Sequence, residues 1–297
     1  MLLGSFFKRV GLIDESFSAK MNKFAFAVAL PALLFQDISA VDIRESWNGG
    51  FVLFCFIATF LSITGVTVLS FFVVKREERG EFVQGAYRSS AAILGIAFIQ
   101  NIYGTSGMAP LMIIGTVPLY NAFAVIVLSL LKPGQRKMDK ALLQKTLKGI
   151  VTNPIILGIA AGFVWAILKI PQPEILQKTV KNMAVLATPL GLMAMGASFE
   201  GKKALRKLKP TLIASALKLV VLAAIFLPIA VRLGYRESEL VAILVMLGSA
   251  TTVSSFVMAK NMGHEGVLTS SIVMVTTLCS AFTLTGWLFL LKTLGLV

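Results

Sequence analysis

Acidic residues are scarce in this chain, and the donors that most catalytic and metal sites need are scarcer still. Its 297 residues include 14 Asp and Glu, one His and two Cys. A single histidine leaves a structural or catalytic zinc site short of ligands. It also leaves one candidate base for a nucleophile, His264, which stands beside Glu265 in a short loop and forms no His-Asp spacing. Cys55 and Cys279 share no CxxC spacing and each lies in an apolar stretch, so both read as small apolar fillers. No cofactor and no metal is expected, and an enzyme is the least favoured class. Carboxylates are also missing from the interior of the apolar stretches, where Asp37 is the deepest and sits near one end. Proton-relaying pumps keep Asp or Glu at mid-membrane. Their absence speaks against a carboxylate-coupled cation exchanger and suits an anionic substrate. A cleavable leader is not expected either, because the opening Met1–Phe7 is too short for one.

Apolar residues make up 57% of the chain, charged residues 14%, and the mean hydropathy is +0.85. A water-facing shell cannot be built from such a composition. About 20 apolar residues cross a bilayer as a helix. Windows of that length fall at roughly 22–40, 50–74, 86–104, 107–131, 150–169, 180–199, 210–232, 239–260 and 266–292. The expected fold is all-α integral membrane with about nine full transmembrane helices, since barrel strands would alternate apolar and polar residues.

The net charge of +14 would suggest nucleic acid on a soluble protein. Here it orients the chain. Alternating the loops places Lys8, Arg9, Lys75, Arg76, Arg79, Arg88 and the stretch from Lys132 to Lys148 on one side; Arg44, Lys169, Arg232 and Arg236 fall on the other. The bias is roughly three to one, and the cation-rich side is cytoplasmic. Residues 132–149 become a basic cytoplasmic linker between a first repeat at 1–131 and a second at 150–297, with the C-terminus outside. The predicted location is a cell (inner) membrane, crossed many times. Nucleic acid is not an expected partner.

The halves resemble each other. Ala29-Leu30-Pro31-Ala32-Leu33-Leu34-Phe35 and Ala187-Thr188-Pro189-Leu190-Gly191-Leu192-Met193 sit at an offset of about 158 residues, and the apolar segments after each follow in the same order. Paired, proline-interrupted segments point to a secondary transporter, because freed backbone groups are tolerated only where protein or a cavity satisfies them. Five spans follow the linker and four plus a stub precede it, so the copies insert upside down. Met1–Phe7 reads as the end of a largely missing first helix, which either continues upstream of Met1, the favoured reading, or has been lost. Arg88 to Gly104 and Gly248 to Gly263 are unusually polar for membrane helices and pair at a similar offset. If each breaks at mid-membrane, two half-helix N-termini meet there and favour an anion. Ser90, Gln100, Asn101, Thr251, Thr252, Ser254 and Ser255 are the expected substrate-binding residues, supplying hydrogen bonds. Lys218 either neutralises the anion or, the favoured reading, snorkels to the cytoplasmic face. Pro31, Pro189, Gly95, Asn153 and Pro154 are the expected breaks or hinges, and Gly158 with Gly162 forms a GxxxG helix contact.

These residues resemble the auxin efflux carrier family in its shorter bacterial form. The matching stretches are Gly11-Leu12-Ile13-Asp14, Ala29 to Phe35, Asn153-Pro154-Ile155-Ile156, Pro189 to Phe199 and Val253 to Ala259. The resemblance implies ten helices in two inverted five-helix repeats, with a scaffold domain and a transport domain holding two broken crossover helices. It further implies movement of small organic anions such as malate or malonate. Ala97 and Ala250 stand where the family often has proline, and Ser90 where it has asparagine. The expected partners are a small organic anion, a coupling proton or sodium and the lipid bilayer, with a homodimer an allowed assembly. The competing expectation is a non-transporting receptor that keeps the fold.

Overall fold

The computed structural model describes residues 1–40, 48–134 and 140–297; Arg44, Arg136 and Lys137, which belong to the loop cations, lie outside them. Every regular element among the described residues is helical. In chain order they are α1 (Leu2–Arg9), α2 (Glu15–Ser39), α3 (Gly49–Val73), α4 (Arg79–Tyr87), α5 (Ala91–Tyr103), α6 (Ala109–Leu130) and α7 (Lys140–Val151). The remainder are α8 (Pro154–Leu168), α9 (Glu174–Ala197), α10 (Gly201–Arg206), α11 (Leu208–Arg232), α12 (Glu237–Gly248), α13 (Ser254–Asn261) and α14 (Val267–Thr293). Six of them, α2, α3, α6, α9, α11 and α14, are long and apolar enough to cross a bilayer. Part of α7 joined to α8 makes a seventh if that pair, bent by 47°, counts as one span.

The bend lies at Asn153-Pro154. Asn153 caps α8 by accepting a bond from the Ile155 amide at 2.9 Å, and Pro154 fills the first helical position, where its missing N–H costs nothing. The expected linker thus holds a helix of its own, α7, and the apolar span begins at Pro154 rather than residue 150.

Proline does not break α2. A π-helical turn, Ala25–Ala29, precedes Pro31 and lets the helix run on; a widened turn absorbs the bond that proline cannot make. In α9 the disturbance is a single turn residue, Leu186, three positions before Pro189. Gly158 and Gly162 of α8 lie on this part of α2: a Cβ at Gly158 would stand 2.8 Å from the Pro31 backbone, and one at Gly162 3.0 Å from Ile38. Absence of side chains there is what allows the two helices to touch.

Two of the expected spans are divided. The stretch 86–104 is interrupted at Arg88-Ser89-Ser90, and 239–260 at residues 249–253. The first break therefore precedes both Gly95 and Ala97, which lie within α5. Gly95 is packed instead against α6, with Met112 so close that a Cβ would meet its methyl at 2.7 Å. Cys55 is buried in α3 as a filler, whereas Cys279 faces outward from α14. His264 is buried in the loop before α14, its Nε2 2.9 Å from the Leu128 carbonyl, and burial holds its basicity below that of an ordinary imidazole.

Candidate functional site

Serine and threonine side chains compete for backbone groups, and the two breaks are rich in them. Their polar groups find partners across the crossing. The Ser90 amide donates to the Ala250 carbonyl at 3.0 Å, so the two breaks are bonded directly to each other. Thr251 Oγ1 donates to the Gly85 carbonyl at 2.7 Å, and the Thr251 amide donates to Thr276 Oγ1 at 3.1 Å. Gln84 Nε2 donates to the Ser255 carbonyl at 2.9 Å. These contacts fix α4, α5, α12 and α13 as one polar knot inside an apolar protein.

Four helix ends meet at the knot. The C-terminal end of α12 is well compensated. Tyr120 Oη donates to the Met246 carbonyl at 2.8 Å, Ser89 Oγ donates to the same oxygen, and Lys218 Nζ donates to the Met246 carbonyl at 3.4 Å and to the Leu247 carbonyl. Lys218 is fully buried, on a π-helical turn of α11. It does not snorkel: the negative end of the α12 dipole holds its ammonium in place. Nor does it line the cavity described below.

The N-terminal ends of α5 and α13 differ. Neither carries a side-chain cap. The cation beside them is Arg88, 1% exposed. Its Nη2 donates to Asn121 Oδ1 at 2.6 Å and to Ser254 Oγ at 2.8 Å, its Nη1 lies 2.9 Å from the Met258 sulfur, and its Nε has no partner. No described carboxylate pairs with it. A buried guanidinium held in direct contact only by neutral groups and set beside two positive helix ends, with Asp37 across the same cavity as the nearest acid, favours an anion at this place.

A cavity of about 50 Å³ lies against this group, lined by Leu30, Leu34 and Asp37 of α2, Tyr120 and Asn121 of α6, and Arg88, Ser90, Thr252 and Ser254 of the two breaks. At roughly 10–15 Å³ per water centre it holds a few waters, so a bound organic anion needs the surrounding helices to move apart. Thr252 Oγ1 and Ser254 Oγ lie 3.2 Å from each other.

Of the seven residues expected to bind substrate, Ser90, Thr252 and Ser254 thus share one cavity. Thr251 and Ser255 are buried in the knot behind it. Gln100 and Asn101 are exposed near the far end of α5, about 15 Å along the helix from Ser90, and are not brought to the others. Arg88, expected among the loop cations, is instead buried, and that corrects its place. The signal is present in the sequence. The stretch from Phe82 to Tyr87 is uncharged, which places Arg88 within a membrane-length segment instead of at its edge.

A protein of Rhizobium meliloti (strain 1021), named "Putative malonate transporter", is 27% identical over 281 residues, which cover 92% of this chain and 86% of that protein. The family described as "Membrane transport protein" matches residues 1–288. With all but its last residues matched, this chain belongs to the membrane transport protein family, that of the auxin efflux carriers.

Proposed function

We propose that this chain is a secondary transporter that carries a small organic anion, a dicarboxylate of the malonate or malate type, across the cytoplasmic membrane by alternating access. The observation that carries the reading is Arg88, a buried cation with no carboxylate partner among the described residues, set where the uncapped ends of α5 and α13 converge on a cavity. A carboxylate entering there supplies a counter-charge in direct contact and accepts bonds from the guanidinium, Ser90, Thr252 and Ser254. The relative's printed name agrees with such a substrate.

In this reading α4–α5 and α12–α13 are the two broken crossover helices of an inverted repeat, and with the seven other spans they complete the nine expected from hydropathy. The basic segment around α7 faces the cytoplasm and the C-terminus lies outside, as the loop cations suggest. Further cavity space of about 460 Å³, bordered by Ser18, Asn22, Asn261 and His264, lies toward the cytoplasmic ends of α2 and α13. It offers the second access route that alternating exposure requires.

The test is malonate uptake by proteoliposomes containing purified protein, paired with malonate-dependent thermal stabilisation in detergent. Saturable counterflow, lost in Arg88→Gln, is the expected result. Stabilisation by malonate without flux would identify a receptor that keeps the transporter fold. Neither stabilisation nor flux with any small carboxylate would overturn the reading.

A further inference from the structure

The cavity beside Arg88 has a second ionisable wall. Asp37 lies two residues before the end of α2 and lines the same space. Among the described residues its carboxylate has neither a hydrogen bond nor an ion pair. Two other acids near the spans are engaged. Glu81 accepts from the Gly266 and Thr269 amides, both at 2.9 Å, and from Thr269 Oγ1 at 3.0 Å, which fixes it as the cap of α14. Glu239 accepts from Asn48 Nδ2 at 3.1 Å. Among the described residues, Asp37 alone lines this cavity with a carboxylate that has no partner.

We propose that Asp37 carries a coupling proton, so that the organic anion and one proton cross together. The inference rests on the transport reading above. With Asp37 ionised, the charges of Asp37 and Arg88 cancel, and an entering anion would leave the low-dielectric cavity with net negative charge. Protonation of Asp37 removes one negative charge from the cavity: a singly charged anion and Arg88 then cancel, and a dianion leaves a single negative charge facing the two helix N-termini. Proton and anion therefore assist each other's binding, and by linkage the effect is reciprocal. The proton is taken up on the side reached from Asp37, the outer side in the proposed orientation. It is released to the opposite side with the anion once the cavity reopens there, which regenerates the carboxylate.

Few other groups compete for this role. Against the same half of α2, helix α8 presents no titratable side chain and α6 presents Tyr120. Helix α9 brings Glu174, Lys178 and Lys181, of which Glu174 and Lys178 pair with each other at 2.5 Å.

The experiment compares the wild type with Asp37→Asn in proteoliposomes, by malonate counterflow without ion gradients and by uptake under an imposed pH or sodium gradient. For the wild type, one pH unit of outside acidity should raise uptake up to about tenfold, with no response to sodium. Asp37→Asn should lose the response to the pH gradient, whatever share of counterflow it retains. Retained pH drive in Asp37→Asn, or sodium drive in the wild type, overturns the proposal. If Asp37→Asn supports no counterflow, malonate binding followed by thermal shift decides. The substrate's own protonation contributes equally to both proteins, so the wild type should tighten more than the variant on acidification. Equal pH profiles overturn the proposal. No counterflow and no malonate binding in the wild type would instead remove the transport reading itself.

Discussion

Replacing Arg88 by Gln separates a binding role from a structural one, because the two predict opposite changes in the protein without substrate. The guanidinium donates to Asn121 and Ser254 at 2.6 and 2.8 Å, bonds that Gln can partly keep. What Gln removes is a buried charge set against positive helix ends and without a described carboxylate partner. Removing such a charge relieves a desolvation penalty of several kcal/mol per buried ion, which offsets the bonds that Gln weakens. The melting temperature without substrate should therefore hold or rise. Binding should suffer instead. Two charge-assisted bonds to a substrate carboxylate, at about 1.5–3 kcal/mol each, make a loss of roughly 3 kcal/mol a conservative figure. That is about a hundredfold in Kd. At a malonate concentration of about 100 times the wild-type Kd, ligand binding stabilises the wild type by about 2.7 kcal/mol; in the variant the same concentration is near Kd and supplies only about 0.4 kcal/mol. Arg88→Lys, which keeps the charge but not the fork, should fall between them. A large drop in the substrate-free melting temperature together with unchanged malonate stabilisation would refute the reasoning and make Arg88 a structural residue.

Lys218 should behave oppositely. Lys218→Ala exposes the Leu247 carbonyl at a buried helix C-terminus and opens a void, so the protein should lose about 2 kcal/mol, read as a lower melting temperature. Gly158→Ala should destabilise by about 1–3 kcal/mol through overpacking, because its Cβ would stand 2.8 Å from the Pro31 backbone. Gly65→Ala in α3 meets nothing within 4 Å and should be neutral or slightly stabilising in the same melting assay. On the solvated face, Lys207 bonds Glu265 at 2.5 Å and lies 3.7 Å from Glu78. The Lys207 bond holds the Glu265 carboxyl below the usual carboxylate range, against the opposing effect of partial burial. A lowered carboxylate stabilises above its unfolded pKa and loses that contribution as pH falls through the folded value. Because Glu265 is well exposed, Glu265→Gln should cost under about 1 kcal/mol at pH 7. The gap from wild type should close below about pH 4 in melting curves recorded against pH.

How far the sequence reaches depends on the range of the interaction involved. Composition and apolar windows establish the class, because lipid accepts only backbones that satisfy themselves within a segment. The Asn153-Pro154 bend and the Gly158–Gly162 contact surface are written locally, in a capping side chain and in two missing ones. The polarity of the two divided segments marks them as unusual from their residues alone. Where the breaks fall is another matter. Gly95 and Ala97 are plausible places by type, yet α5 runs through both, since a glycine in a helix breaks it only if its backbone groups find better partners elsewhere. Those partners exist at Ser89 and Ser90, whose groups bond to Met246 and Ala250 more than 150 residues away.

The charged residues make the same division. As sequence, Lys218 and Arg88 are cations at uncertain depth, one assigned to snorkelling and the other to a loop. Tertiary structure gives them opposite surroundings, carbonyl oxygens at a helix C-terminus for Lys218 and a cavity beside two helix N-termini for Arg88. Asp37 changes likewise from an acid near a helix end to the wall of that cavity. A local pattern sets what a segment is made of and which solvent it tolerates. The field at a side chain is the sum over helix ends brought together from distant parts of the chain, and only the folded arrangement determines it.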